Sequence, residues 1–257
     1  MRSRLVSACL LSAMLAAGCT SVIGGEVVQG TPKPAPNLKP HPVTGEAIKR
    51  VLLDGTTLSR MLNQPFVSRK PLQFGGPDTL AQTVPPADCL GVTAMLQKSV
   101  YQSGPLPAQV KDVASETWWN NGDPAQVISV MEGVVTLPSA AQAEALFATF
   151  SEQWRQCNGT MTTEQNGPIS TTNAISDVRV ANFVVAATNT ATSVLPNMPA
   201  LRPTPQARAI GARLNCLVEV EVVFFGERRP SDPGSAQVDT SAIDIAHAMM
   251  DKVSELS

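Results

Sequence analysis

Apolar side chains recur at helical spacing in two long stretches of the chain. The clearest covers residues 139–154, where Pro138 precedes a serine that can cap a helix, Ser139. Its apolar face is formed by Ala143, Leu146, Phe147, Phe150 and Trp154. Residues 241–256 show the same pattern, with Ile245, Met249 and Val253 in line. Both stretches predict amphipathic helices that cover a core.

Shorter stretches complete a mixed pattern. Helical spacing predicts helices over residues 46–53, 56–63 and 87–102. Alternation and valine-rich composition predict strands over residues 127–137, 175–188 and 214–225, and a further strand carries Trp118 and Trp119. Because strands follow one another without a helix between each pair, we predict a single α+β domain, an antiparallel sheet packed with helices.

The alternation also assigns side chains to faces. In the strand over residues 127–137, Val127 and Met131 are expected on one face and Val130 and Glu132 on the other. In the strand over residues 214–225, one face is expected to carry Leu214, Cys216, Val218, Val220 and Val222. The opposite face is expected to carry Asn215, Glu219 and Glu221.

The first 19 residues have the layout of a bacterial lipoprotein signal. Two arginines start the chain, residues 5–17 form an apolar run too short to span a bilayer, and small residues precede Cys19. A cysteine at this boundary resembles a lipobox, although Ala16 stands where leucine is commoner. We predict that residues 1–18 are a signal peptide and that Cys19 is lipidated. An ordinary secretory signal cleaved near Gly18 is the alternative.

The segment after Cys19 changes in composition. Its prolines alternate with small and polar residues, so neither helix nor sheet can propagate. Such a chain favours extended polyproline conformations and acts as a semi-rigid spacer. We predict a spacer over residues 19–44 and a folded domain over residues 45–257, held by the lipid at the outer face of the cytoplasmic membrane.

Composition narrows the classes of function. The net charge is −2, and loss of the two arginines of the signal leaves 17 basic and 21 acidic side chains, so nucleic acid is not an expected partner. The chain has two histidines, His41 and His247, and no hydrolase, P-loop or zinc-helix motif. His247 shares helical spacing with Asp244 and Asp251, a pattern more typical of a solvated face than of a metal site. We predict no cofactor, no metal and no catalysis.

The strand with two tryptophans supplies the candidate recognition residues, Trp118, Trp119, Asn120 and Asn121. Neighbouring side chains on a strand point to opposite sides, so one tryptophan is expected to pack in the core while the other lines a cleft. Packing of both in the core is the alternative. Arg208 is a further candidate, because its cation would neutralise an anionic ligand.

An ordered set of short marks resembles a known family. They are Asp88-Cys89 opening a helix, the Trp118-Trp119 strand, Val130-Met131-Glu132, a helix ending Trp154-Arg155-Gln156-Cys157, Arg208-Ala209, and Asn215 ahead of Val218-Glu219-Val220. Together they resemble the PknH-like extracellular sensor domain, which occurs on mycobacterial receptor kinases and as free-standing lipoproteins. The resemblance implies an α+β domain with a large cleft for an unidentified extracellular ligand.

Cysteine pairing follows the resemblance only in part. After lipidation of Cys19, the thiols of Cys89, Cys157 and Cys216 remain, and three cysteines allow three single pairings. The family pattern implies a Cys89–Cys157 disulfide, with Cys157–Cys216 as the alternative. The chain departs from the kinase member of the family, which carries two disulfides.

The expected function is therefore a lipid-anchored binding or sensor module without chemistry of its own. Its expected partners are the membrane, through the lipid, and an unknown small-molecule or cell-envelope ligand held in a cleft. The alternative is a cell-envelope hydrolase or transferase that uses carboxylates such as Asp123 and Glu132.

Overall fold

An eight-stranded antiparallel sheet organises the fold, with the strand order β1-β2-β3-β8-β7-β6-β5-β4. The strands are β1 (Phe66–Gly75), β2 (Val113–Asn120), β3 (Val127–Thr136), β4 (Met161–Asn166), β5 (Ile169–Ala181), β6 (Val184–Val194), β7 (Thr204–Arg213) and β8 (Cys216–Phe224). Strands β1–β3 form one meander and β4–β8 a second, and pairing of β3 with β8 joins them. The predicted α+β class with an antiparallel sheet is confirmed.

The structure, a computed structural model, describes residues 40–82, 89–102, 109–123, 125–226 and 241–257. All of these belong to one unit, Pro40–Ser257. The predictions on the signal peptide, on Cys19 and on most of the spacer lie outside the described residues, as does Asp88. None of the helices in the described ranges is long and apolar enough to cross a membrane.

Helices cover both faces of the sheet. The helices are α1 (Gly55–Leu62), α2 (Leu90–Thr93), α3 (Lys98–Gln102), α4 (Ala140–Cys157) and α5 (Ser241–Glu255), with short 3-10 helices at Gly45–Val51 and Pro77–Thr79. The first 3-10 helix, α1 and α5 pack on one face, which we call the α5 face. Helices α2, α3 and α4 pack on the other, which we call the α4 face. Each face has its own apolar core.

The two long helices form where the pattern predicts them. Ser139 caps α4, because its hydroxyl accepts a hydrogen bond from the Gln142 amide at 3.3 Å. The side chains that α4 buries are Ala143, Phe147, Phe150, Ser151, Trp154 and Cys157. Helix α5 buries Ile245, Met249 and Val253, as expected from their spacing.

The single helix predicted over residues 87–102 is wrong for the described part of that range. Two short helices form instead, because the chain between them is extended at Ala94 and left-handed at Leu96 (φ 53°). This link crosses the α4 face, where the Leu96 amide donates to Glu219 Oε2 at 3.2 Å and its side chain lies over Gly133. A tertiary contact therefore overrides the local helical spacing.

The strand predicted over residues 175–188 is two strands. Asn182 and Phe183 both take positive φ values, 50° and 61°, and close a two-residue turn between β5 and β6. Likewise β8 begins at Cys216 rather than at Leu214, because Leu214 (φ 51°) belongs to the preceding turn. Within β8 the predicted alternation of Cys216, Val218, Val220 and Val222 against Glu219 and Glu221 is confirmed.

A β-bulge corrects one assignment in β3. The pairing with β8 shifts between Val127 and Ser129, so Ile128 is an extra residue. Val127 therefore lies in the same core as Val130, on the α5 face, and not with Met131.

Candidate functional site

A pocket of about 820 Å³ opens on the α4 face, and we call it the disulfide pocket. Its volume lies in the range of small-molecule sites. Helices α2 and α3, which follow β1, form one wall; the C-terminal part of α4 and the start of β4 form the other. The walls therefore come from the two different meanders. The side chains that characterise it are Val92, Val100, Gln153, Trp154, Thr160 and Thr162.

A disulfide between Cys89 and Cys157 ties these two walls together. It links the residue before α2 to the last residue of α4, with Cα atoms 5.7 Å apart. The pairing implied by the family resemblance is confirmed. Cys216 is the free cysteine of the described ranges, and burial on the α5 face raises the pKa of its thiol to about 12. A thiol in that state is inert.

The chemistry of the disulfide pocket is polar but uncharged. No ionisable side chain lines it in the described part of the chain. Gln153 and Gln156 contribute amides, Thr160 and Thr162 contribute hydroxyls, and Trp154 contributes apolar surface. The hydroxyl of Thr162 is buried and has no hydrogen-bond partner, a state that costs free energy. Such a lining suits an uncharged ligand that offers hydroxyl or amide groups.

Arg208 lies beneath the α2 wall of the pocket and is fully buried. Its guanidinium donates to main-chain oxygens of α2 and of the residue after it at 2.9 to 3.2 Å; the acceptors are Gly91, Val92 and Ala94. The guanidinium carbon also lies 5.9 Å from the centre of the Trp154 ring. Arg208 therefore fixes the wall from below. It lines neither of the two large pockets, and the ligand contact predicted for it stays a prediction.

Two carboxylates and a phenol surround this cation. Glu219 pairs with Arg208 at 3.4 Å, and the Tyr101 hydroxyl donates a short hydrogen bond to the other oxygen of Glu219. Burial raises the pKa of Tyr101 well above its usual range, and the neighbouring Glu219 raises it further. Glu221 lies 4.0 Å from Arg208; burial raises the pKa of this carboxyl, and the cation opposes that rise. The cluster keeps the floor of the α4 face rigid and polar.

The two tryptophans of β2 point to opposite faces, as expected. Trp118 packs against the core of the α5 face, where its ring leaves no room for a Cβ at Gly55, and its indole N–H donates to Glu132 Oε2 at 3.2 Å. Trp119 is 45% exposed beside Val67 of β1. Neither lines a large pocket, so ligand contact by Trp119 stays a prediction.

Glu132 is enclosed in the α5 face. Its carboxyl accepts the Trp118 indole and, at 3.1 Å, the amide of Leu53, while Glu116 lies directly opposite on β2. Burial raises the pKa of Glu132 to about 8, with Glu116 and Asp54 adding repulsion. Glu132 therefore holds its proton at neutral pH and lines no large pocket.

A second pocket, of about 800 Å³, lies at the end of the sheet where β2 turns into β3. Asn120 and Asp123 line it, together with Arg202, Thr204 and Phe225. The Asn120 side-chain oxygen accepts hydrogen bonds from Gln64 at 3.2 Å and from the Gly122 amide at 3.1 Å, so this residue also braces the turn. Asn121 is exposed and does not line the pocket. Of the predicted recognition residues, Asn120 is the one that reaches a large pocket.

Metal ligands do not gather in the described ranges, where no group of three or more histidine, cysteine or acidic side chains could hold an ion.

Sequence reasoning missed the disulfide pocket because its walls lie far apart in the chain. The one local signal is a pair of glutamines, Gln153 and Gln156, that flanks Trp154 ahead of Cys157. That signal becomes informative only once the disulfide brings α2 alongside.

A crystal structure with a TM-score of 0.66 has the same fold as this chain. The chain is similar to the crystal structure of the extracellular domain of PknH from Mycobacterium tuberculosis, with 21% identity and a TM-score of 0.66 over 84% of this chain and 100% of that chain. An X-ray structure of an uncharacterised protein from Mycobacterium smegmatis aligns with 12% identity and a TM-score of 0.39, over 81% of this chain and 96% of that chain. No curated protein matches the sequence.

The sequence profile of one family covers most of the domain. It is described as the PknH-like extracellular domain, and it matches residues 43–252. The match includes both half-cystines and both walls of the disulfide pocket. The chain therefore belongs to the PknH-like extracellular domain family.

Proposed function

We propose that this protein is a lipid-anchored extracytoplasmic sensor module that binds an uncharged ligand in the disulfide pocket without transforming it. Membership of an extracellular domain family supports the location. The observation that carries the binding site is the pocket of about 820 Å³, lined without charge in the described residues and holding a buried, unpartnered hydroxyl on Thr162.

The walls of the pocket are held as a binding site requires. A disulfide and a buried arginine fix α2 against α4 and the sheet before any ligand arrives. Preorganisation of this kind lowers the entropy cost of binding. The ligand class follows from the lining, since amides and hydroxyls recognise hydroxyl or amide groups on a neutral molecule.

The carboxylates of the alternative hydrolase hypothesis have different surroundings. Asp123 is exposed on the β2–β3 turn, whereas Glu132 is buried under Leu53 and Trp118. They do not share a pocket, and no other described feature favours acid–base chemistry.

The binding proposal is tested by mass spectrometry of native protein taken from its own membranes. A retained ligand is expected, and Thr162→Val should lower its occupancy. Since the variant removes an unpartnered buried hydroxyl, its stability should be unchanged or about 1 kcal/mol higher. Thr163→Val is the matched control, because Thr163 is exposed and does not line the pocket. Equal ligand occupancy in Thr162→Val and Thr163→Val would overturn the assignment of the pocket.

The anchor is tested separately through Cys19. The protein should partition into detergent, and Cys19→Ala should move it to the soluble fraction or leave the signal uncleaved. Unchanged membrane retention of a correctly processed Cys19→Ala protein would contradict lipidation at this residue.

A further inference from the structure

The turn between β5 and β6 carries an unusual side chain. Phe183 takes a left-handed backbone conformation (φ 61°), which is unfavourable for a bulky residue and which a glycine would adopt freely. Its side chain is 61% exposed, more than any other aromatic residue of the described ranges. Packing within the domain therefore does not compensate for the strain. A strained residue that the fold does not use is a candidate for function.

This turn lies at the end of the sheet where the chain enters the domain. The main-chain oxygen of Phe183 accepts a hydrogen bond from the Ala212 amide at 3.0 Å, just ahead of the β7–β8 turn. In that turn, Asn215 holds Val43 by two hydrogen bonds of 2.9 Å, one from the Val43 amide and one to its carbonyl oxygen. Residues 40–42, which lead into Val43, are exposed. Phe183 and the entering chain therefore occupy the same end of the domain.

Basic side chains flank the turn. Arg179 is exposed on β5 three residues before Asn182, and Arg213 is exposed at the end of β7, next to Ala212, where its Nε donates to Ser254 Oγ of α5 at 2.7 Å. Asp177 is the acidic side chain on the same strand, farther from the tip; Asp112 and Glu46 lie beside the entering chain, where Asp112 accepts from the Gly45 amide and Glu46 pairs with Lys49. An apolar tip with arginines behind it matches the order of acyl chains and phosphate headgroups in a bilayer.

We propose that the β5–β6 turn is a membrane-contact tip, in which Phe183 inserts its ring into the bilayer interface and Arg179 and Arg213 face the headgroups. This inference rests on the membrane anchor of the proposed function. A single ring binds a bilayer weakly, but a tether of the length of residues 19–39 holds the tip at an effective concentration of about millimolar, so weak contact suffices. The contact fixes which end of the domain faces the membrane.

The test uses the mature chain from Cys19, coupled through that thiol to a maleimide lipid in vesicles of phosphatidylcholine and phosphatidylglycerol. The buried Cys216 does not compete for the coupling. The Phe183→Trp variant adds one tryptophan to the three native ones. The fluorescence of this added tryptophan should be quenched by brominated lipid. Phe225→Trp is the matched control, since Phe225 is 44% exposed and lies at the opposite end of the sheet. No quenching at position 183, or equal quenching at both positions, overturns the proposal.

A second variant separates contact from folding. Phe183→Gly relieves the left-handed conformation, so the fold should be retained or become more stable. When the variant is not coupled to lipid, its partition onto the same vesicles should be roughly tenfold lower than that of the uncoupled parent, as expected for loss of one inserted ring. Unchanged partition of Phe183→Gly contradicts the proposal. Because the coupling is chemical, these outcomes do not depend on natural lipidation, which the Cys19→Ala experiment tests.

Discussion

Both faces of the sheet carry a long helix on an apolar core, but the α4 face also holds a short helix, α2, by other means. On the α5 face, a helix of 15 residues rests on valines and alanines, and the one buried carboxyl among the described residues, that of Glu132, stays protonated. On the α4 face, α2 has four residues and is held by a disulfide and by the guanidinium of Arg208.

The difference reflects what each helix can contribute. A long amphipathic helix is stabilised by the apolar area that it buries, whereas a helix of one turn is marginal on its own and needs specific partners. Of these ties, the disulfide lines the disulfide pocket, and Arg208 lies beneath its α2 wall. The face that presents the pocket therefore adds polar and covalent ties at α2 to the apolar core that α4 covers, whereas the α5 face relies on its apolar core.

The strongest way to break this comparison is Arg208→Met. Glu219 would remain buried without its cation, and three carbonyl oxygens at α2 would lose their donor. We expect a loss of about 5 kcal/mol in the free energy of unfolding, at the upper end for a broken buried pair, measured by urea denaturation. Arg213→Met is the control, and its exposed side chain should cost within about 0.5 kcal/mol. Equal losses would show that the network does not hold α2.

Removal of the disulfide should have the next largest effect. The bond closes a loop of 68 residues, so replacing both Cys89 and Cys157 by alanine should cost about 4 kcal/mol by loop entropy. Peptide mapping without reduction should recover the Cys89–Cys157 pair, and Cys216 should react with alkylating reagent only after unfolding. A Cys157–Cys216 peptide would contradict the pairing.

The two tryptophans of β2 allow the stability contributions of the two faces to be compared at neighbouring positions. Trp118→Ala removes an indole from the α5 core and should cost roughly 3 kcal/mol. Trp119→Ala removes an exposed ring and should cost within about 0.5 kcal/mol. Thermal and urea unfolding of the two variants measures the contrast. Equal destabilisation would place both rings in the core and remove Trp119 as a recognition residue.

Glu132 should make the stability of the α5 face depend on pH. Its folded pKa of about 8 lies above the ordinary 4.5, so its contribution to stability is present below pH 4.5 and is lost as the pH rises towards 8. Glu132→Gln should remove this dependence and stabilise the domain at high pH relative to the parent, by on the order of 2 kcal/mol. Urea unfolding across that range is the measurement. Parallel pH profiles of parent and variant would contradict a protonated Glu132.

Regular elements could be predicted from sequence because the rule that forms them is local. The capping serine and the helical spacing of apolar side chains define α4. Alternation along β8 assigns Val218 and Glu219 to opposite faces. Departures from regularity could not be predicted. The bulge at Ile128 moves Val127 to the other face, and the turn at Asn182–Phe183 lacks the glycine that usually marks a hairpin.

The candidate site was predictable only through its disulfide. The resemblance implied the pair Cys89 and Cys157, and this pair turned out to line the pocket. The burial of Arg208 could not be predicted from the sequence, since its acceptors are carbonyl oxygens that any sequence would supply. Nothing local in the chain marks Thr162 as a buried, unpartnered hydroxyl.

The junction of the two meanders has a consequence for how the pocket comes into being. Each meander is built from neighbouring hairpins, which close quickly, whereas β3 and β8 must meet across a long stretch of chain. The α2 wall comes from the β1–β2 connection but packs over β6 and β7 of the second meander, so the pocket exists only in molecules where the junction is closed. A ligand that bridges the walls adds its binding free energy to that closure. Slowed amide hydrogen exchange along β3 and β8 would then be the solution signature of an occupied sensor.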